Sequence, residues 1–302
     1  MKRKTFSVVS SSDGLILDGL AIIPDKVNGV VQIAHGMSEH KERYLEFMEY
    51  LAEHGYASVI HDHRGHGKSL KSIEDQGYFY EKTGNYIVED LYDVTQWIQN
   101  FFEGEPLYLL GHSMGSLVVR LYLKKHDSAI NKLIVCGSPS KNPMVPFAIL
   151  FVNVLEKFYG DHHRSSLVQN LAFGSFDKRF PGEKENSWLS TNDENVLAYN
   201  ESKKDGFVFT LNGFLNLFHM MKDVYDSKGW DCKNKNIPIF FIAGKEDPVI
   251  VSEKEWYRSQ DFLKQVGYTN ICSHIYENMR HEILKEKNRK IVFKDIVKFL
   301  EQ

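Results

Sequence analysis

The chain has 302 residues, a formal net charge of −3 and a 42% hydrophobic content, enough for one sizeable core carrying an insertion. Acids and bases are interspersed and leave no basic stripe for nucleic acid, while three widely spaced cysteines, Cys136, Cys232 and Cys272, argue against a disulfide framework or zinc site. The basic start Met1-Lys2-Arg3-Lys4 leads into Thr5-Phe6-Ser7 and not into an apolar stretch, so no secretory signal is expected and a reducing cytoplasm is the expected compartment.

Period-two segments at 5–9 and 15–23, joined through Asp13-Gly14, predict an antiparallel hairpin. Short apolar runs at 30–34, 57–61, 107–110 and 133–135 then alternate with helical patterns such as 44–54 and 86–102. Such alternation predicts βαβ units, hence an α/β fold with a mostly parallel sheet and helices on both faces. It stops between 138 and 225, a segment dense in large apolar residues, among them Phe147, Phe151, Phe158, Phe209, Phe214 and Phe218. Within it the stretch 145–155 is too short to span a bilayer. A strand at 237–243, a helical pattern at 252–266, a strand at 271–276 and a last helix close the chain.

Gly111-His112-Ser113-Met114-Gly115 follows the apolar run 106–110 and opens the amphipathic stretch 116–125. A serine on a strand-to-helix turn is the context of a strained nucleophile, with glycines where the chain must approach itself closely. The N–H of Met114, at the helix start, is then aimed at any oxyanion formed there. Serine is a poor nucleophile unaided, so a base and an orienting acid should follow in the chain order serine, acid, histidine. Asp247 lies just past the strand at 237–243, and His281 on the last loop before the final helix. The run 30–34 enters His35-Gly36-Met37, whose Met37 N–H would be the second oxyanion donor.

These residues, with His35-Gly36-Met37-Ser38-Glu39-His40, Arg43-Tyr44 and Asp62-His63-Arg64-Gly65-His66-Gly67-Lys68-Ser69, make the chain resemble the monoglyceride lipase and lysophospholipase group of α/β-hydrolases, of the Gram-positive bacterial type. The resemblance implies an α/β-hydrolase core over 1–137 and 226–302, with a helical cap inserted at 138–225. It implies a serine hydrolase that cleaves monoacylglycerol or lysophospholipid-type esters through an acyl-serine, with Ser113, Asp247 and His281 as triad. No cofactor is required. Phe147 and Phe151, with Ile149 and Val152, are expected to line an acyl channel, and most other cap aromatics to pack the cap onto the core. The cap also offers a surface for transient membrane contact.

Rival readings keep the triad and change the substrate. A thioesterase fits the same residues, and a hydrolase-fold protein that binds ligand with little turnover is a third reading. An aminopeptidase would need an anionic pocket, which Glu183, Glu185, Asp193, Glu194 and Glu201 could furnish. Gly67-Lys68-Ser69 lacks the upstream glycine of a phosphate loop, having Asp62 there, and His281-Glu282 lacks a second histidine at Lys285. His162-His163 has no third ligand in register, so no metal site is expected.

Overall fold

A computed structural model describes residues 1–302, and its elements follow the alternation in the sequence. The N-terminal hairpin is β1 (Lys2–Val9) and β2 (Ile16–Ile23). Then come β3 (Val30–Ala34), α1 (Leu45–Glu53), β4 (Ala57–His61), α2 (Asn85–Phe101), β5 (Leu107–His112), α3 (Met114–His126) and β6 (Lys132–Cys136). Four helices follow before another strand: α4 (Val145–Tyr159), α5 (Ser166–Phe173), α6 (Asp193–Glu201) and α7 (Leu211–Asp223). The chain ends with β7 (Ile239–Gly244), α8 (Glu253–Gln265), β8 (Ile271–Tyr276) and α9 (Arg289–Glu301).

All eight strands join one sheet in the order β1-β2-β4-β3-β5-β6-β7-β8. Strand β2 runs antiparallel to β1 and β4, and the other neighbours are parallel. The parallel strands therefore share one carboxyl edge, where an α/β sheet places its ligands. Alternation within each strand divides the core in two. Val31, Ile33, Leu110, Ile134 and Ile242 pack beneath α1 and α9, against Phe47, Met48, Phe293 and Ile296. Val30, Ala34, Leu109, Leu133, Val135 and Phe241 face the opposite side, with Leu91, Val118 and Trp256 of α2, α3 and α8. Burial on both faces explains why these strands read as continuous apolar runs. Gln32 is the polar exception in β3, and its amide is satisfied by Leu91 O at 2.8 Å and the Thr95 hydroxyl at 2.6 Å.

The helices between β6 and β7 divide by exposure. In and beside α7, Phe209, Phe214 and Phe218 are buried in the same core cluster as α3, which is the packing expected of them. At the end of α4 that expectation fails for Phe158, which is 79% exposed; Phe147, assigned to the channel, is 65% exposed, with Met144 and Leu150 also in the open. No helix is long and apolar enough to cross a membrane.

Candidate active site

Ser113 sits between β5 and α3 at φ 53°, ψ −119°, a strained conformation for a residue with a Cβ. Close approach sets the glycines around it. A Cβ on Gly111 would lie 2.3 Å from Gly115 O, and one on Gly115 2.1 Å from Ala34 O. Without side chains, the first turn of α3 can lie directly on the ends of β5 and β3. The turn is fixed by the Ser113 N–H, which donates to Cys136 O at 3.0 Å, and by Ser116 N–H, which donates to Ser113 O at 2.9 Å.

Asp247 and His281 are brought together from loops 34 residues apart. His281 Nδ1 lies 2.9 Å from Asp247 Oδ2, and Asp247 Oδ1 accepts the Val249 N–H at 2.8 Å. Both side chains are withdrawn from solvent. The loops carrying them are joined backbone to backbone: Lys245 and Glu246 N–H donate to Tyr276 O and Met279 O, at 2.9 and 3.0 Å. Gly244 permits this, since a Cβ there would lie 2.1 Å from Arg280 O. The neighbouring Glu246 instead turns toward the Arg280 guanidinium, 3.6 Å away. On the far side of His281, the Trp188 ring lies 5.1 Å from the imidazole and Gly137 leaves room for it.

Met37 and Met114 border the same cavity as Ser113 and His281. Amides of the first helical turn have no intrahelical acceptor, so the Met114 N–H is free to point at a ligand. The Met37 loop is tied at several points. His35 accepts the His63 N–H at 2.9 Å, Gly36 N–H donates to Glu39 Oε1 at 2.5 Å, and Ser38 Oγ donates to Phe207 O at 2.7 Å. His35 is thus a neutral structural ring, pushed below the usual imidazole range by burial. The loop Gly67-Lys68-Ser69 wraps around Asp62, whose carboxylate accepts the Lys41 and Lys68 amides at 2.8 and 2.9 Å.

Sequence reasoning missed a buried group of charges beneath these loops. Arg43 reaches Glu39 Oε2 at 3.0 Å and both oxygens of Glu282 at 2.5 and 2.8 Å. Burial alone would raise the Glu39 and Glu282 carboxyls, but His112 and Arg43 around Glu39, and Arg43 beside Glu282, hold both below the ordinary range. Burial likewise raises Asp205 to about 6, against the opposing charges of Arg43 and His40. The signal available was local: Glu39 and Arg43 one helical turn apart, and Glu282 directly after His281.

The cavity has a volume of about 780 Å³ and one largely apolar wall, built by α4, α5 and α7. Phe147 and Phe151 line it from α4, together with fully buried Val152, whereas Ile149 does not. Phe173, Phe218 and Met221 add to this wall from helices the sequence left unassigned. Asn142, Asp177, Arg179, Glu185 and Asn186 supply polar wall. Of the five acids considered for an amine pocket, only Glu185 lines this cavity. Glu183 is paired with Arg280 at 2.7 and 2.8 Å, Asp193 and Glu194 border a separate small pocket, and Glu201 is exposed.

Residues 25–288 match the family described as serine aminopeptidase, S33. The chain belongs to this family. It is an α/β-hydrolase, and its relatives include lysophospholipases and monoglyceride lipases. A probable lysophospholipase L2 of Haemophilus influenzae is 25% identical over 288 residues, 91% of this chain and 84% of the relative. A monoacylglycerol lipase of Mycolicibacterium smegmatis is 24% identical over 275 residues, 90% and 88% of the two chains. In fold, this S33 chain superposes on a thermostable carboxyl esterase of Bacillus coagulans with a TM-score of 0.91 and 25% identity, covering 100% of this chain and 98% of the other.

Proposed function

We propose that the protein is a serine carboxylester hydrolase acting on a monoacylglycerol or lysophospholipid-type acyl ester. The observation that carries this reading is the buried His281–Asp247 pair, 2.9 Å apart, facing the same apolar-walled cavity as a strained Ser113. In the proposed mechanism Asp247 accepts from Nδ1–H of His281 and holds that tautomer, which leaves Nε2 to take the Ser113 proton as Oγ attacks the acyl carbonyl. The N–H groups of Met37 and Met114 bind the oxyanion. His281 then gives the proton to the departing alcohol, and water releases the acid from the acyl-serine.

In this reading residues 138–225 form the cap, and α4 and α5 supply the acyl wall. The names of the lysophospholipase and monoacylglycerol lipase relatives support lipid esters as the substrate class. Exposed Met144, Phe147, Leu150, Phe158, Leu167 and Leu171 support transient contact of the cap with a lipid surface. Three unpaired cysteines support a cytoplasmic site of action.

The test is Ser113→Ala together with substrate profiling. The variant should keep the wild-type thermal midpoint and lose at least about 10³-fold in ester hydrolysis. A fluorophosphonate should label wild type at Ser113. Monoacylglycerols and lysophospholipids should be preferred over aminoacyl amides, and the reverse preference would reject the ester assignment.

A further inference from the structure

His112 precedes the proposed nucleophile and has no part in the mechanism above, yet its ring is 5% exposed and placed between two acceptors. Nδ1 lies 3.4 Å from Glu39 Oε1, and Nε2 lies 3.2 Å from the backbone oxygen of His281. A carbonyl oxygen only accepts, and so does an ionised carboxylate. Glu39 has every reason to be ionised, since the Gly36 N–H and Tyr44 hydroxyl donate to Oε1 and Arg43 donates to Oε2. A neutral imidazole carries one N–H, and would turn a bare lone pair toward one of these two acceptors in a buried site.

We propose that His112 is a fixed imidazolium, bridging Glu39 to the backbone of His281, that positions the catalytic base and disfavours its protonation. The proposal rests on the reading of Ser113, Asp247 and His281 as the triad. Charge balance supports it. The charged groups around the ring are Glu39 from the loop after β3, Arg43 from the turn before α1, and Glu282 from the segment after β8, with Lys285 of that segment behind Glu282 and Asp247 beyond His281. Arg43 bridges both carboxylates and the half-buried Lys285 adds positive charge near them, while a charged His112 gives Glu39 a partner of its own. Asp205, 4.0 Å from Arg43, also has His40 3.7 Å away. Burial by itself would push His112 down, but the hydrogen bond and charge of Glu39 lift it above the usual imidazole range. The two imidazole rings are 4.8 Å apart. A cation so close makes a second one at His281 costly and keeps the lone pair of the base available.

Long-range proton–nitrogen NMR of wild-type enzyme labelled with ¹⁵N-histidine tests this at pH 8, where a free imidazole is neutral. Both ring nitrogens of His112 should carry protons, with the assignment made by their disappearance in His112→Gln. One bare nitrogen would overturn the proposal. On a short p-nitrophenyl ester, His112→Gln should move the acid limb of kcat/KM to higher pH by about one unit or more, the effect expected of a charge at this range. An unmoved limb would reduce His112 to a packing residue. Should that variant not fold, Glu39→Gln serves instead, because its His112 should lose one ring proton at pH 8 and retention of both would count against the bridge. Retained hydrolysis in Ser113→Ala would overturn the triad reading and leave the NMR result standing.

Discussion

Around the cavity, the loops at the strand ends and the helices above them are held by different forces. Below, positions are set by backbone hydrogen bonds, close glycine contacts and buried ion pairs, each with its own distance and direction. Gly115 against Ala34, Gly244 against Arg280 and Arg43 between Glu39 and Glu282 leave little freedom. Above, α4 presents apolar side chains, many of them exposed, to a wide cavity. Non-directional contacts of this kind tolerate change of shape as long as volume is kept. Under the proposed function, chemistry and substrate choice are stored separately, the one in geometry and the other in surface.

That separation can be broken most sharply at Asp247. Asp247→Asn should lower kcat by about 10³- to 10⁴-fold on every ester, since the imidazole loses its tautomer and its stabilising charge. Glu246→Gln, which turns toward Arg280, should cost far less. Equal losses in steady-state assays of the two would show that the acid has been misassigned. Next in size is Arg43→Leu, which strips the buried Glu282 carboxylate of its bidentate partner and leaves Glu39 with His112 as its one ion-pair partner. A loss of about 3–5 kcal/mol in denaturant unfolding is expected, and a loss under about 1 kcal/mol would mean that the charges beneath the loops are held some other way.

Acid should attack the lower region first. His35, His61, His63 and His66 form a buried cluster, with ring centroids 4.3 Å apart for His35 and His63. Burial, reinforced by the neighbouring imidazoles, pushes His61 and His66 down to about 3 and His63 well below its usual range. The unfolded chain takes up protons near pH 6.5 and the folded chain does not. Stability from these rings is therefore complete above about pH 6.5 and is lost as pH falls toward 3, at about 1.4 kcal/mol per pH unit per histidine. Thermal midpoints from pH 7 to pH 4 measure this, and His61→Leu should flatten the slope. A pH-independent midpoint would contradict it.

The smallest effect belongs to the upper region. Phe151→Ala should lower kcat/KM for long-chain esters roughly tenfold while sparing acetate esters, each lost methylene contact being worth about 0.8 kcal/mol. Ile149, half-buried against the core and outside the cavity lining, should instead lower the melting point when shortened to alanine, with every chain length affected alike. If Phe151→Ala lowered all chain lengths equally, the wall at α4 would be mere packing.

This contrast also explains what was readable in the sequence. Ser113, Asp247 and His281 each follow a strand-forming run directly, so local punctuation places them at one sheet edge. The hairpin, the alternation and the interruption after β6 were legible for the same reason. The Arg43–Glu282 pair was not, because its partners are 239 residues apart and no period links them. Trp188 against His281 was equally hidden, since an aromatic in a single 3-10 turn carries no sign of what it covers. The apolar stretch 145–155 did not say whether core, substrate or solvent would meet it, and the extent of exposure at Phe147 and Phe158 followed from tertiary packing alone.

The seam between the two regions runs beside His281, the proposed base. The Glu282 N–H donates to Leu189 O at 2.7 Å, and the Glu286 carboxylate accepts both the Arg280 N–H at 2.7 Å and the Thr191 N–H at 3.0 Å. A chimera that grafts a relative's cap onto this core would therefore exchange more than a binding wall. It would also sever the struts of the last loop, so the transplant should carry the residues around 280–286 with 187–191, or the new wall will sit over a His281 that no longer stands in place.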